Sequence, residues 1–366
     1  MHMKFFRNVL LKALLLFLVF NLVLVSLPPV SNPEQLSIYN SLVPGRPRFP
    51  FGENPQQAYN FSLYDVDAMF AAHRVSAPMR EDDALRIFVF GDSSVWGTLQ
   101  TSQGTLAGQL NQLNLSCNNR PLDFYNLGYP TISVTKDLML MERSKVYQAD
   151  MVLWLTTLEA LPQEKQLASP LAANNPARIE KINAEYQLGL TVPDEYTNWW
   201  SKTLWGRRRA IADWIRLQLY GIPWAATGID QVYPPYQPAA WDLEANQNYY
   251  DFKPPEIPDG ALVYSAFEVG EKLWGGTPLL LVNEPIMVSS GENSDIRYNY
   301  FYPRWAYDQY RQSMVDLSID QDIDYVDAWD WVAAKDFTNS AIHMNATAEA
   351  GFAERLSAEV LMQVCH

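Results

Sequence analysis

Residues 87–97, IFVFGDSSVWG, constrain this chain more than any other stretch. They open as a run of apolar, β-branched and aromatic residues, the pattern of a strand buried on both faces of a parallel sheet. The run breaks at Gly91 into a short polar turn, Asp92-Ser93-Ser94, and a helical pattern begins within ten residues. A strand ending in such a turn delivers its last side chains to the carboxyl edge of the sheet, where open α/β sheets bind ligands. A serine presented there becomes a nucleophile when a histidine reaches it.

Similar signals recur along the chain. Residues 123–127 (DFYNL), 150–156 (DMVLWLT), 279–282 and 323–326 read as strands, and 101–115, 133–148, 307–317 and 347–364 carry helical spacing. Strands alternating with helices through short links predict a parallel, doubly wound sheet. Residues 160–277 interrupt that rhythm with many Pro, Asn and Trp and read as an insertion. Within it, 203–220 is one clear helix. Arg207, Arg208 and Arg209 cluster near its start, and Leu204, Ile211, Trp214, Ile215 and Leu219 share an apolar face. Packing on the core is the commoner fate of such a helix and the expectation here; lying on an anionic membrane surface is the alternative. Residues 224–250 have no period and read as a long ordered loop over the site.

At the amino end, Lys4, Arg7 and Lys12 precede an apolar run to Leu27, close to the roughly 20 residues that span a bilayer. The positive flank then stays cytoplasmic and the rest of the chain lies outside. A cleaved signal would want small residues before the cut, and Val25-Ser26-Leu27-Pro28-Pro29 offers no A-x-A site. The expected organisation is a signal anchor over 1–30, a stalk and surface-packed segment over 31–83, and an α/β domain over 84–366. A net charge of −14 argues against a nucleic-acid partner, which demands a basic face. Twelve Trp and twenty Tyr point to an aromatic-lined groove or a membrane-facing surface in addition to core. Cys117 and Cys365 either pair, as an exported chain allows, or stay two separate thiols.

Four histidines are available. His2 falls in the cytoplasmic tail, His366 is terminal, and His73 precedes the domain, where a structural or solvent-exposed role is expected. His343 remains. It sits in FTNSAIHMN, residues 337–345, between the last strand and the last helix, and so at the same sheet edge as Ser93. No His, Cys or carboxylate set has metal-ligand spacing and no phosphate-loop glycine pattern is present, so neither metal nor cofactor is expected.

Gly91-Asp92-Ser93 with Gly97 reads GDSxxxG and resembles the first sequence block of the SGNH (GDSL-type) hydrolase superfamily. The resemblance spans 84–159 and 277–364. It implies a three-layer α/β/α sandwich with about five parallel strands in flavodoxin-like order. Ser93 would be the nucleophile, His343 the base, and Asp92 would shape the turn. The oxyanion donors would be the Ser93 N–H, Gly128 in the second block (YNLG) and the third-block position, which falls on Thr157 and Glu159. This sequence departs from the family there, because a carboxylate donates no hydrogen bond unless protonated. Either Glu159 is held neutral, or Thr157 or a backbone amide takes its place. The acid of the last block is also missing: three residues before His343 stands Ser340, next to Asn339. Asp336 or Asp330 is expected to substitute, or the superfamily's dyad with a backbone carbonyl suffices. The resemblance implies an ester hydrolase or O-acyltransferase acting on an acylated small molecule, cell-envelope glycan or lipid, beside a membrane acyltransferase. The alternative is a catalytically silent envelope protein of the same fold that binds a glycan or a protein.

Overall fold

Short apolar runs separated by helices produce a six-stranded sheet. Its strands are β1 (Leu85–Phe90), β2 (Ser116–Cys117), β3 (Arg120–Asn126), β4 (Met151–Thr156), β5 (Leu279–Asn283) and β6 (Asp324–Asp327). The structure, a computed structural model, describes residues 2–26, 37–43, 45–51, 64–77, 83–193 and 199–365. Much of the expected 31–83 segment, and residues 27–30 of the anchor, lie outside them.

The strand order is β2-β3-β1-β4-β5-β6. Five strands run parallel from β3 to β6. The remaining strand, β2, is a two-residue antiparallel extension of the β3 edge. Asn118 and Asn119, both at positive φ, turn that hairpin. The parallel strands thus have the flavodoxin-like order, whose switch point lies between β1 and β4, and ligands bind at such a crevice.

Alternation along each strand sends side chains to two apolar layers. Phe88, Phe90, Val152, Trp154, Leu279 and Leu281 face one, and Ile87, Val89, Met151, Leu153, Leu280 and Val282 face the other. Helices cover both faces, giving the α/β/α sandwich. Against the second layer lie α5 (Leu106–Gln112) and α12 (Ala346–Val364), through Leu106, Leu110, Phe352 and Leu356. Against the first lie α6 (Val134–Ser144), α10 (Ser265–Trp274) and α11 (Arg304–Gln321). The helix α10 falls within the expected insertion yet is the crossover between β4 and β5. It packs on Trp154 through Phe267 and through Gly270, whose missing Cβ would stand 2.6 Å from the Trp154 ring.

Segments before β1 join the same core. Tyr39 on α2 (Ile38–Leu42), Phe49, and Val66, Met69 and Phe70 on α3 (Val66–Ala72) are fully buried. His73 follows α3 and is structural rather than exposed. Its Nε2 lies 2.9 Å from the Asn126 carbonyl, its Nδ1 accepts the Val75 N–H, and burial pushes its pKa down to about 3. Among the described residues, the remaining helices are α1 (His2–Ser26), α4 (Ser93–Trp96), α7 (Pro170–Asn174), α8 (Pro176–Tyr186) and α9 (Arg208–Thr227). The last begins and ends later than its sequence pattern suggested. Cys117 and Cys365 are paired, with Cα atoms 5.6 Å apart, which ties the β2 edge to the end of α12.

Candidate active site

Gly91 ends β1, and Asp92 turns the chain into the single turn of α4. The Asp92 carboxylate accepts the Ser94 N–H at 2.8 Å, so the expected turn-shaping role is what its geometry provides. At the other end, Gly97 adopts φ 89°, and its N–H donates to the Ser93 carbonyl. A Cβ on Gly97 would stand 2.3 Å from Thr105 Cγ2, so both the conformation and the space demand glycine. From the segment before β1, Arg48 donates to the Trp96, Gly97 and Gln100 carbonyls and stacks 4.3 Å over the Trp96 ring. These contacts fix the turn that carries Ser93. The Ser93 side chain is half-buried at its start.

The His343 loop is fixed separately. Thr338 N–H donates to the His343 carbonyl at 2.7 Å, Asn345 N–H to the Asp336 carbonyl at 2.9 Å, and Met287 N–H to the Ala341 carbonyl at 2.7 Å. Asn345 then caps α12 by accepting the Thr347 and Ala348 N–H groups. Gln100 joins the two halves of the site by donating to the Met344 carbonyl at 2.5 Å.

Ser93 Oγ and His343 Nε2, 250 residues apart in sequence, are 2.7 Å apart. On the other side of the ring, His343 Nδ1 is 2.8 Å from Asn339 Oδ1. An amide oxygen only accepts, so Nδ1 carries the proton and Nε2 is left to accept the Ser93 hydroxyl. Burial lowers the His343 pKa to about 4, which keeps the ring neutral at pH 7.

Other candidates are placed differently. Ser340 faces Tyr300, whose hydroxyl donates to it at 3.1 Å, and does not meet the imidazole. Asp336 accepts from Asn345 Nδ2 at 3.4 Å, and Asp330 is exposed, so neither carboxylate supplies the expected acid. The reason is local: the turn of 337–343 brings the fourth residue before His343, not the third, onto Nδ1. Gly128 packs against the back of α4, where a Cβ would stand 2.5 Å from Trp96 N, but its N–H donates to Asn126 Oδ1 at 3.1 Å and so is already engaged.

Glu159 is buried and is not arranged as a donor. Its carboxylate accepts from Lys165 Nζ and the Tyr250 hydroxyl, and from the Tyr249 hydroxyl at 3.3 Å. Thr157 Oγ1 is paired with the Tyr302 hydroxyl at 3.0 Å. The expected loop over the site contributes Tyr249 and Tyr250, and its Ala239 N–H donates to the Thr338 carbonyl beside His343.

Beneath Ser93 lies a polar layer that sequence patterns gave no role. Glu284, just after β5 and 1% exposed, accepts the Ser94 hydroxyl. Burial, and the charge of Asp92 beside it, push its pKa well up. Lys136 Nζ, equally buried, donates to the Gly91 carbonyl at 2.6 Å and pairs with Asp137. The available signal for Glu284 was its place at the end of a parallel strand, level with Ser93. Among the described residues, no group of three or more His, Cys, Asp or Glu is arranged to hold a metal ion.

The sequence blocks and this site together resemble the SGNH (GDSL-type) hydrolases. Comparison with solved structures finds a lipolytic G-D-S-L family protein from Veillonella parvula at 11% identity, covering 76% of this chain and 100% of that one, with a TM-score of 0.37. It also finds a carbohydrate acetylesterase family member from Sinorhizobium meliloti at 10%, 76% and 99%, TM-score 0.33. An inhibitor-bound aryl esterase of M. smegmatis matches at 11%, 76% and 100%, TM-score 0.34. No family model and no curated protein matches the chain.

Proposed function

We propose that the chain is a serine ester hydrolase or O-acyltransferase of the SGNH type. The observation that carries this reading is the 2.7 Å contact between Ser93 Oγ and a neutral His343 Nε2 in a half-buried, reachable position. Ser93 Oγ attacks the ester carbonyl while His343 Nε2 takes its proton. Asn339 holds the ring through Nδ1–H, and the Ser93 backbone N–H, at the open first turn of α4, donates to the oxyanion. The intermediate collapses to acyl-Ser93 as His343 returns the proton to the leaving alcohol. Water completes hydrolysis; an acceptor hydroxyl completes transfer.

A retained amino-terminal anchor with the domain outside the cytoplasm completes the proposal. Residues 3–23 are long and apolar enough to cross a bilayer. The Cys117–Cys365 bond fits an oxidising compartment. An acylated envelope glycan or lipid is then the substrate within reach. The test is a fluorophosphonate probe followed by peptide mapping, with an aryl ester assay alongside. Labelling of Ser93 that Ser93→Ala and His343→Ala both abolish is the expected result; an unlabelled Ser93 and no turnover would sink the enzymatic reading.

The silent binding protein is favoured by one feature of the site. Of the three expected oxyanion donors, Gly128 N–H and the Glu159 carboxyl are committed elsewhere, which leaves the Ser93 N–H. One oxyanion donor is typically worth ~10²–10³ in turnover, so this arrangement predicts a slow enzyme at best.

A further inference from the structure

The helix α9 carries two apolar stripes, and the fold uses only one. Asp213, Leu217, Gly221 and Trp224 face inward. There Gly221 lets the Tyr39 ring approach, where a Cβ would stand 2.6 Å from it. Ile211, Ile215 and Leu219 form the opposite stripe and are 38%, 50% and 65% exposed. Just before the helix, Trp199, Trp200 and Trp205 are each more than half exposed. Arg207, Arg208 and Arg209 are exposed beside them in a chain of net charge −14, and Arg208 lies 5.2 Å over the Trp205 ring. Large apolar residues gathered on one face and rimmed by cations mark a contact surface.

The amino-terminal helix points to what covers it. Asn21, near the far end of α1, is buried against this region: its Oδ1 accepts the Leu204 N–H at 2.8 Å. From Met3 to Asn21 a helix rises ~27 Å, close to the ~30 Å thickness of a hydrocarbon core. The three tryptophans therefore sit near the depth where aromatic residues gather at a membrane boundary. The arginines lie next to them, where anionic headgroups are.

We propose that the Trp199–Trp205 segment and the Ile211, Ile215 and Leu219 stripe of α9 form an interfacial surface on which the domain rests against an anionic bilayer. The proposal rests on the anchored reading above, and its test separates the two. Each chain adds a lipid-facing amphipathic helix to the span. The cations Arg207, Arg208 and Arg209 supply headgroup attraction, and the apolar stripe supplies burial.

The experiment uses the full-length protein reconstituted in vesicles of phosphatidylcholine with and without phosphatidylglycerol. Ile215→Cys and, as a distant exposed control, Ile319→Cys carry an environment-sensitive fluorophore; the native cysteines are paired and do not react. A lipid-borne nitroxide should quench the probe at 215, and aqueous iodide should not; position 319 should behave oppositely. Phosphatidylglycerol should deepen the quenching at 215. Arg207→Gln, Arg208→Gln and Arg209→Gln together should remove that increment, roughly fivefold in lipid partitioning per arginine. A probe at 215 open to iodide, in chains that float with the vesicles, overturns the surface and leaves the anchor standing. Shielding from iodide without nitroxide quenching marks a second protein copy on the stripe and also overturns it. If mass spectrometry finds α1 removed, the anchor fails instead. The same probe on the processed protein mixed with vesicles then decides: quenching supports the surface and its absence overturns it.

Discussion

Asn339 Oδ1 lies 2.8 Å from His343 Nδ1, where a charged acid is expected from the family pattern. A neutral amide fixes the tautomer as a carboxylate does. It gives the imidazolium that forms during catalysis far less stabilisation.

Asn339→Asp should raise kcat on an aryl ester by about tenfold, because one charged hydrogen bond in place of a neutral one contributes about 1–1.5 kcal/mol more. Asn339→Leu should lower it by at least the same factor, since Nδ1–H is left without an acceptor. Ser340→Asp should change kcat little, because that side chain meets Tyr300 rather than the ring. Steady-state kinetics of the three variants checks this; a gain in Ser340→Asp alone would reverse the assignment.

In the wild type, the acid limb of kcat/KM should fall near pH 4 rather than near the ordinary histidine value of about 6.5. His343 must be neutral to take the Ser93 proton, and burial keeps it so down to that pH. A carboxylate at 339 favours the charged ring, so the limb should move upward in Asn339→Asp. The same burial acts on stability: a histidine whose folded pKa is lowered stabilises fully above about pH 6.5 and loses that contribution as pH falls towards 4. His73, lowered to about 3, adds to the loss in the same direction. Melts of His73→Phe against wild type from pH 7 to pH 4 should show the variant less sensitive to acid.

Glu159→Gln should cost about 1–3 kcal/mol of stability and leave turnover within about threefold. Its carboxylate is held by Lys165 and two tyrosines, so the substitution strips a partner from Lys165 and creates no donor at the oxyanion. Denaturant melts beside aryl ester kinetics check it. A hundredfold change in kcat with an unchanged melt would return Glu159 to the oxyanion position.

Gly97→Ala should destabilise by at least about 2 kcal/mol and lower Ser93 labelling together. The left-handed backbone at φ 89° strains any Cβ, and the added methyl would strike Thr105, the N-cap of α5. Gly351→Ala, on α12 with open space around it, should be neutral or slightly stabilising and serves as the control. Equal melts for both variants would contradict the account of the turn.

Cys117→Ser or Cys365→Ser should lower the melting free energy by about 3–5 kcal/mol, since the bond closes a long loop in the unfolded chain. The reductant response of wild type should match the variants.

The sequence by itself determined the five parallel strands and the edge they share. Each strand is a short apolar run between turn residues, and such signals are local. It also determined Ser93 and His343 as the pair to meet, because few histidines were available and only one followed a strand. It did not determine which neighbour of His343 touches Nδ1. Asn339 and Ser340 differ by one position, and the hydrogen bonds of Thr338 and Asn345 set which one turns inward. Nor did it decide the fate of Glu159, whose partners Lys165 and Tyr250 lie 6 and 91 residues away and come together only when the long loop folds back. The same holds for α9: its sequence puts Ile211, Ile215 and Leu219 on the face expected to pack on the core, whereas packing against Tyr39 buries the side that carries Leu217, Gly221 and Trp224 and leaves the first three exposed. Pattern fixes what a residue is able to do along its own element, whereas long-range packing decides which partner it meets.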